Sequence, residues 1–237
     1  MKLPYLILFL CCAAISMADD KPAASGANDV SPPTAPLPAG MTKIFDGKTL
    51  DGWTQVPPDS WTVKNGAIAS LGVARGVIYT NREFGSYRVI FDVRHVSGQP
   101  DHQPGVLVFC TMPPAGEKGL DALGGIQFQV PNGGHWDYRK GHNNAGTEEF
   151  TGLPHAKFDA HQWSRVEIVI DALAGVARMA VAQPVGSKAV AVLDFKEPKA
   201  AQKGPFALQM HNKELFDEYA NIAVEEDPKN MELITTK

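Results

Sequence analysis

The residues best suited to chemistry lie in one glycine-rich stretch between positions 124 and 144. A sugar ring needs an aromatic plane for stacking, side chains that form several hydrogen bonds and a group that transfers a proton. The stretch offers all three, in Asn132, His135, Trp136, Asp137, Tyr138, Arg139, His142, Asn143 and Asn144. Its glycines permit backbone conformations that other residues avoid. We interpret it as a binding or catalytic site, the alternative being a surface loop that only satisfies its own backbone.

The pattern just before this loop predicts a strand with two polar side chains on one face. Ile126, Phe128 and Val130 alternate with Gln127 and Gln129. Successive side chains of a strand point to opposite faces, so the three apolar residues face a core and the two amides face away from it.

Segments 88–94 and 206–211 show the same alternation of apolar and polar residues. If both strands share one curved sheet with segment 126–130, a polar concave surface lies beneath the loop. Its members are Arg94, Asp92, Gln127, Gln129, Gln209 and His211. For each residue alone, the alternative is an ordinary solvent-exposed sheet face.

This arrangement predicts the side of the sheet on which each residue lies. Gln129 and His211 share one side, whereas Phe128 and Leu208 lie on the opposite side, in the core between two sheets. A slip of one residue in either strand would reverse that strand's faces.

The rest of the chain predicts an all-β protein, because short alternating runs are separated by Gly, Pro and Asn. The predicted strands are 61–63, 67–70, 77–80, 87–93, 105–111, 126–130, 165–170, 177–182, 189–194, 206–210 and 221–224. Asn65-Gly66 predicts a tight hairpin, since both residues tolerate positive φ. Only segments 199–203 and 213–218 suggest short helices, so an all-β sandwich of antiparallel sheets follows.

The two ends of the chain differ from this central domain. Residues 1–18 have the pattern of a secretory signal peptide, with Lys2 followed by an apolar run and a small-residue cleavage site. Residues 19–41 are rich in Pro and Ala and predict a disordered linker before a domain at 42–226. The polar tail at 227–237 is expected to fray. We expect a periplasmic, envelope or secreted protein with no membrane span in the mature chain; a lipoprotein anchor is the less favoured alternative.

Composition excludes some partners. The 237 residues carry a formal net charge of −4, and no cluster of Lys or Arg stands out, so nucleic acid and acidic membrane surfaces are not expected partners. Cys110 alone follows the signal segment, so no intrachain disulfide is expected, and its apolar surroundings predict a buried thiol.

Seven short motifs occur in the order found in the DUF1080 family, also called the 3-keto-disaccharide hydrolase domain. They are 44–53 (IFDGKTLDGW), 61–68 (WTVKNGAI), 84–89 (FGSYRV), 103–106 (QPGV), 125–130 (GIQFQV), 162–164 (QWS) and 204–211 (GPFALQMH). The chain resembles this family from about residue 44 to residue 225.

This resemblance implies a concanavalin A-like jelly-roll sandwich of two antiparallel sheets, with a ligand cleft on the concave sheet. It also implies a carbohydrate ligand, a glycoside oxidised at C3. A C3 ketone acidifies the C2 proton, so a base can remove it and the anomeric oxygen then leaves C1; water adds back afterwards. Such a site needs a base, a donor or cation for the enolate oxygen and an acid for the leaving oxygen.

The candidate roles follow from residue type. His211 and His135 are the expected acid–base groups, with Asp137 as their carboxylate partner. The expected substrate-binding residues are Arg94, Gln127, Gln129, Asn132, Trp136, Tyr138 and Gln209. No cofactor is predicted; a divalent metal on His135, Asp137 and His142 is conceivable, but their spacing matches no strong ligand signature.

One departure from the family keeps other functions open. The family motif has Glu where this chain has Gln127, and an amide can neither carry a proton nor act as a nucleophile. The chain could therefore be a non-catalytic carbohydrate-binding module. It could also be a two-carboxylate glycosidase that uses Asp137 with Glu148 or Glu149. An envelope protein that only mediates protein contacts is a third alternative.

Overall fold

The computed structural model describes residues 30–98, 102–114, 120–144 and 150–237. Within these ranges the chain forms fifteen strands. They are β1 (Thr42–Lys43), β2 (Trp53–Val56), β3 (Trp61–Lys64), β4 (Ala67–Ser70), β5 (Gly76–Thr80), β6 (Tyr87–Ser97), β7 (Gly105–Val108), β8 (Ile126–Gln129), β9 (His135–Asp137), β10 (Phe150–Gly152), β11 (Ser164–Asp171), β12 (Val176–Ala182), β13 (Val190–Lys196), β14 (Ala207–Met210) and β15 (Phe216–Glu226). A four-residue helix spans Leu120–Leu123, and short 3₁₀ turns span Pro198–Ala200 and Ile234–Thr236.

The strands form two antiparallel sheets. The large sheet has nine strands in the order β10-β13-β12-β11-β6-β15-β4-β3, with β1 paired to β15. The small sheet has six strands in the order β2-β5-β14-β7-β8-β9. Every predicted strand has a counterpart among these fifteen, and Asn65 and Gly66 adopt the positive φ angles, 50° and 83°, of the predicted hairpin.

The core lies between the two sheets, and strand alternation predicts its members correctly. Phe128 and Leu208 of the small sheet are fully buried in the same cluster as Val89 and Phe91 of the large sheet. Each such side chain contributes roughly 1.5–3 kcal/mol when removed from water. The predicted inward positions of Phe128 and Leu208 are therefore confirmed.

The prediction that Arg94 shares a sheet with Gln127 and Gln209 is wrong. Arg94 lies on β6 of the large sheet, where it pairs with Glu218 at 2.7 Å and its guanidinium lies 5.2 Å from the Trp163 ring centroid. Asp92 lies on the same strand and pairs with Arg165. Alternation predicts which face of a strand is polar, but it does not predict which sheet the strand joins.

The segment before β1 lies against the polar face of the large sheet. Arg165 donates hydrogen bonds to the carbonyl oxygens of Ala35 and Pro36, and Asn221 donates one to that of Pro33. The predicted disorder of residues 19–41 therefore does not hold for this part of the segment. The predicted signal peptide at 1–18 lies outside the described residues.

The polar C-terminal tail packs on the same sheet instead of fraying. The buried carboxylate of Glu167 accepts hydrogen bonds from the backbone of Ile234 and Thr235, and Leu233 is buried. The backbone N–H groups of this segment thus bind a buried carboxylate, a contact that the composition of the tail does not predict. In the part of the chain that the structure describes, no helix is long and apolar enough to cross a bilayer.

Candidate active site

The candidate site lies on the outer face of the small sheet, the face turned away from the core. Register places Gln209, Gly105 and Gln129 side by side on β14, β7 and β8, and it pairs Gln127 with Trp136 of β9. Directly paired residues of antiparallel strands point to the same face. The two glutamines nearest the centre, Gln127 and Gln209, are each only 1% exposed. The predicted clustering of three glutamines on one face is confirmed.

Tyr138 follows β9 and lies across this face. Its ring belongs to an apolar cluster with Val77, Leu107 and Ala207, which line the outer face of three other strands. The Gln209 side-chain nitrogen donates to its hydroxyl oxygen at 3.3 Å. Tyr138 therefore covers the centre of the face.

His211 directly follows β14 and lies at the rim of this face. Its Nδ1 lies 3.5 Å from the Tyr138 hydroxyl, and its ring stacks on that of His102 with centroids 4.6 Å apart. Burial lowers the pKa of His211 below its ordinary value, and the charges of His102 and Arg75 lower it further. A histidine in this state is neutral near pH 7 and can accept a proton.

Arg75 places a positive charge beside these rings. Its guanidinium carbon lies 5.6 Å from the centroid of the Tyr138 ring, within cation–π range. The side chain of His102 is positioned in turn by Asn212, whose amide nitrogen lies 3.2 Å from its Nε2. The rim thus combines a neutral base, a phenol and a cation.

The expectation that His135 and Asp137 lie with His211 is wrong. Register pairs His135 with Phe128 and Asp137 with Ile126, so both point away from the outer face. Successive side chains of β9 point to opposite faces of the sheet. Trp136 and Tyr138 therefore lie on one side, and His135 and Asp137 lie on the other.

His135 and Asp137 have structural partners. The His135 ring stacks on Phe150 with centroids 4.0 Å apart. Asp137 accepts hydrogen bonds from the backbone and guanidinium of Arg139 and lies 3.1 Å from His142 Nδ1. The carboxylate thus closes the turn after β9, and it does not point towards His211.

The loop after β8 does not form a roof over the sheet. Its central part is β9, which adds a sixth strand to the edge of the small sheet. The side-chain amide of Asn132 is engaged by other protein groups. It donates hydrogen bonds to Gln103 and to the Phe158 carbonyl oxygen, and it accepts one from the Phe158 backbone nitrogen. Trp136 lies on the outer face and donates to Asn143 at 3.1 Å.

The conceivable metal site finds no support in the described part of the chain. No group of three His, Cys, Asp or Glu side chains in residues 30–98, 102–114, 120–144 and 150–237 is arranged to hold a metal ion. Asp137 and His142 are in contact, but His135 is engaged with Phe150. Glu148 and Glu149, the other carboxylates considered, lie outside the described residues.

Cys110 is buried as predicted, and burial raises the pKa of its thiol well above the usual range.

Two members of the observed cluster were missed by reasoning from sequence. His102 lies in an irregular segment before β7, and Arg75 lies just before β5. Neither belongs to an alternating pattern, so only the pairing of β5 and β7 with β14 brings them to His211. The available signal was position, since Arg75 and His102 each lie shortly before a predicted strand, at 77–80 and 105–111.

The sequence matches the family model of the 3-keto-alpha-glucoside-1,2-lyase-like domain over residues 40–225. The chain belongs to this family. A search of curated proteins gives no significant match.

Solved structures share the fold of this family member at low sequence identity. A candidate glycosyl hydrolase from Parabacteroides distasonis ATCC 8503 aligns with a TM-score of 0.56 and 13% identity, over 80% of this chain and 95% of that one. The carbohydrate-binding module CBM66 from Bacillus subtilis aligns with a TM-score of 0.55 and 12% identity, over 74% and 96%. The lumenal domain of VIP36, bound to Ca²⁺ and Man3GlcNAc, aligns with a TM-score of 0.52 and 11% identity, over 80% and 93%. The fold is thus a lectin-like jelly roll, as the sequence resemblance implied.

Proposed function

We propose that this protein cleaves the glycosidic bond of 3-keto-glycosides by eliminating the anomeric oxygen and then adding water. The observation that supports this most directly is His211, a histidine with a lowered pKa beside the Tyr138 hydroxyl on the outer face of the small sheet. Membership in a family named for a 3-keto-glucoside lyase indicates the substrate class.

His211 is the proposed base. Its Nδ1 faces the Tyr138 hydroxyl at 3.5 Å, and in the tautomer protonated on Nε2 this nitrogen carries the lone pair. A ligand that displaces this hydroxyl frees the lone pair to accept the C2 proton, which the neighbouring C3 ketone makes acidic. Because the pKa of His211 lies below its ordinary value, the base form is already present at neutral pH.

Arg75 and Tyr138 supply the other two functions that the reaction requires. When C2 loses its proton, negative charge develops on the C3 oxygen, and the Arg75 guanidinium is the cation available to stabilise it. The Tyr138 hydroxyl can give a proton to the leaving anomeric oxygen. Electrons from the C2–H bond form the C1–C2 double bond as the C1–O bond breaks. Water then adds across this double bond, with OH bonding to C1 and a proton to C2, to give the free 3-keto sugar. His211 releases the proton it took from C2 to solvent, and solvent reprotonates Tyr138.

The rival function is carbohydrate binding without catalysis. It is favoured by Gln127, which replaces the Glu of the family motif with a group that cannot transfer protons. The structural similarity to CBM66 and to the sugar-bound VIP36 domain is equally consistent with it. A carbohydrate ligand is common to both proposals.

Sugar release separates the two functions. The protein is incubated with methyl 3-keto-α-glucopyranoside and with its unoxidised parent, with and without added divalent metal, and released sugar is measured. Release from the 3-keto compound alone supports elimination. Calorimetric binding of both compounds with no product after long incubation supports the binding module. Activity that appears only in Gln127→Glu would identify a decayed enzyme.

We further propose that the protein is exported to the periplasm or cell envelope, as the signal-like residues 1–18 suggest. Cell fractionation tests this, and retention of the full-length chain in the cytoplasm would contradict it. Radiolabelled fatty acid incorporation would indicate the lipoprotein alternative instead.

A further inference from the structure

Gly105 lies at the centre of the outer face of the small sheet, where its lack of a side chain lets the Gln127 and Gln209 amides approach the backbone of β7; we call the position between these two amides the Gly105 gap. Gly105 lies on β7 between Gln209 of β14 and Gln129 of β8. A Cβ at this position would lie 2.8 Å from Oε1 of Gln209 and 2.9 Å from Nε2 of Gln127. Those distances are too short for real Cβ contacts, so a side chain here would displace both amides. Only glycine lets both amides lie this close to the backbone of β7.

The two amide atoms that border this gap are both buried and lack partners. Neither Gln127 Nε2 nor Gln209 Oε1 has a hydrogen-bond partner among the described residues, and both side chains are 1% exposed. A buried polar group without a partner costs about 1–3 kcal/mol. One atom is a donor and the other an acceptor, so a single group that both accepts and donates would satisfy the pair.

The floor of the gap is held in place from the core side. The Tyr219 hydroxyl accepts from the Gly105 backbone nitrogen at 3.1 Å and donates to its carbonyl oxygen at 2.9 Å. Burial and the nearby Asp217 raise the pKa of Tyr219 well above its usual value, so the hydroxyl keeps its proton. Gly105 is therefore fixed by a residue of the large sheet, and the gap has a defined shape.

The Tyr138 hydroxyl, on the outer side of the gap, is held less firmly than the Gly105 backbone. Tyr138 lies over this face, and its hydroxyl contacts are long, 3.3 Å to Gln209 and 3.5 Å to His211. Contacts of this length are weaker than well-formed hydrogen bonds. A ligand that offers better partners can therefore draw the Tyr138 hydroxyl away from Gln209 and His211 while the ring stays packed in its apolar cluster.

We propose that the gap at Gly105 is a subsite for one hydroxyl group of the glycoside, which accepts a hydrogen bond from Gln127, donates one to Gln209 and enters by displacing the Tyr138 hydroxyl from Gln209. A ketone oxygen accepts hydrogen bonds but cannot donate, so it would leave Gln209 without a partner. The subsite thus selects an unoxidised position of the sugar and helps to orient the oxidised carbon towards His211. It rests on the proposed carbohydrate ligand, but it does not require that the ligand be cleaved.

The test compares binding of methyl α-D-glucopyranoside with that of its 2-, 3-, 4- and 6-deoxy analogues by titration calorimetry. The unoxidised glycoside lacks the acidic C2 proton, so binding is measured without turnover. One analogue should bind wild type about 10-fold to 100-fold more weakly than the parent, because the hydroxyl that this analogue lacks is the one that pairs with both amides. In Gly105→Ala this difference should disappear, with the parent binding as weakly as that analogue.

Gly85→Ala is the matched control, since a Cβ on Gly85 would meet nothing within 4 Å and its φ is not positive. It should keep the wild-type preference among the analogues. If Gly105→Ala fails to fold, Gln127→Leu replaces it and should also abolish the preference. The side-chain amide signal of Gln127 in a ¹H–¹⁵N spectrum should shift with the parent and not with the discriminated analogue.

Several outcomes would overturn the subsite. These are equal affinity of wild type for all analogues, an undiminished preference in Gly105→Ala, or no binding of any glycoside at millimolar concentration. Failure of the proposed reaction gives a different result: the preference among analogues persists, yet methyl 3-keto-α-glucopyranoside is not cleaved. Cleavage without any preference would remove the subsite and leave the reaction intact.

Discussion

Replacing Tyr219 with Phe should destabilise the protein, whereas replacing Tyr87 with Phe should not. Both rings are buried, at 0% and 2% exposure, so each substitution removes one buried hydroxyl and leaves the ring packing unchanged. The Tyr219 hydroxyl bonds both backbone groups of Gly105, but the Tyr87 hydroxyl has no partner among the described residues. Comparing the two variants therefore isolates the contribution of the Tyr219 hydrogen bonds to the free energy of unfolding.

The expected magnitudes follow from this difference. A buried hydrogen bond contributes about 1 kcal/mol net, and an orphaned buried group costs about 1–3 kcal/mol. Tyr219→Phe removes two bonds to Gly105, so we expect a loss of about 2–3 kcal/mol. Tyr87→Phe removes a hydroxyl that burial already penalises, so we expect between no change and a gain of about 1 kcal/mol.

Equilibrium unfolding in urea measures both effects. The midpoint should fall for Tyr219→Phe and stay level or rise for Tyr87→Phe, with the m-value unchanged in both variants. Glycoside binding should weaken in Tyr219→Phe, because the floor of the Gly105 gap loses its support. An equal loss of stability in the two variants would refute the reasoning.

Two further predictions concern charge. In Arg75→Met the pKa of His211 should rise towards its ordinary value, because one positive charge that disfavours protonation is gone; an NMR titration of the His211 ring checks this, and an unchanged or lower pKa would contradict it. In Glu167→Gln the buried carboxylate that pairs with Arg88 and accepts hydrogen bonds from the C-terminal segment is lost, so unfolding should cost about 3 kcal/mol less and this segment should become sensitive to protease. Glu226→Gln breaks an exposed pair and should change stability by less than about 1 kcal/mol, with the segment still resistant. Equal protease resistance of the C-terminal segment in the two variants would argue against the docked tail.

The sequence predicts the elements of this fold better than their assembly. Phe128 and Leu208 could be placed in the core because a two-residue period shows which side chains share a face. The same period on β6 groups Arg94 with Asp92 correctly, yet it does not show that this strand lies in the large sheet. Sheet membership depends on long-range pairing, which leaves no local pattern.

The candidate site shows the same limit. Alternation predicts that Gln127 and Gln209 share a face, and Tyr138 of the glycine-rich loop reaches that face. The sequence predicts a loop where β9 forms and therefore places His135 beside His211, although the strand turns His135 away from that face. Short edge strands such as β9 are hard to recognise, because three residues show hardly more than one period.

Exchange of the substrate C2 proton is the most direct test of the proposed reaction. Methyl 3-keto-α-glucopyranoside deuterated at C2 is incubated with wild type, with His211→Asn and with the control His155→Asn, whose ring stacks on Phe158 in the segment before β11. Wild type and His155→Asn should release sugar with loss of deuterium and a primary isotope effect, with a rate that rises with pH up to the pKa of His211 and then levels off. His211→Asn should lose at least about 100-fold in rate. Sugar release that retains deuterium at C2, or an undiminished rate in His211→Asn, would contradict the account.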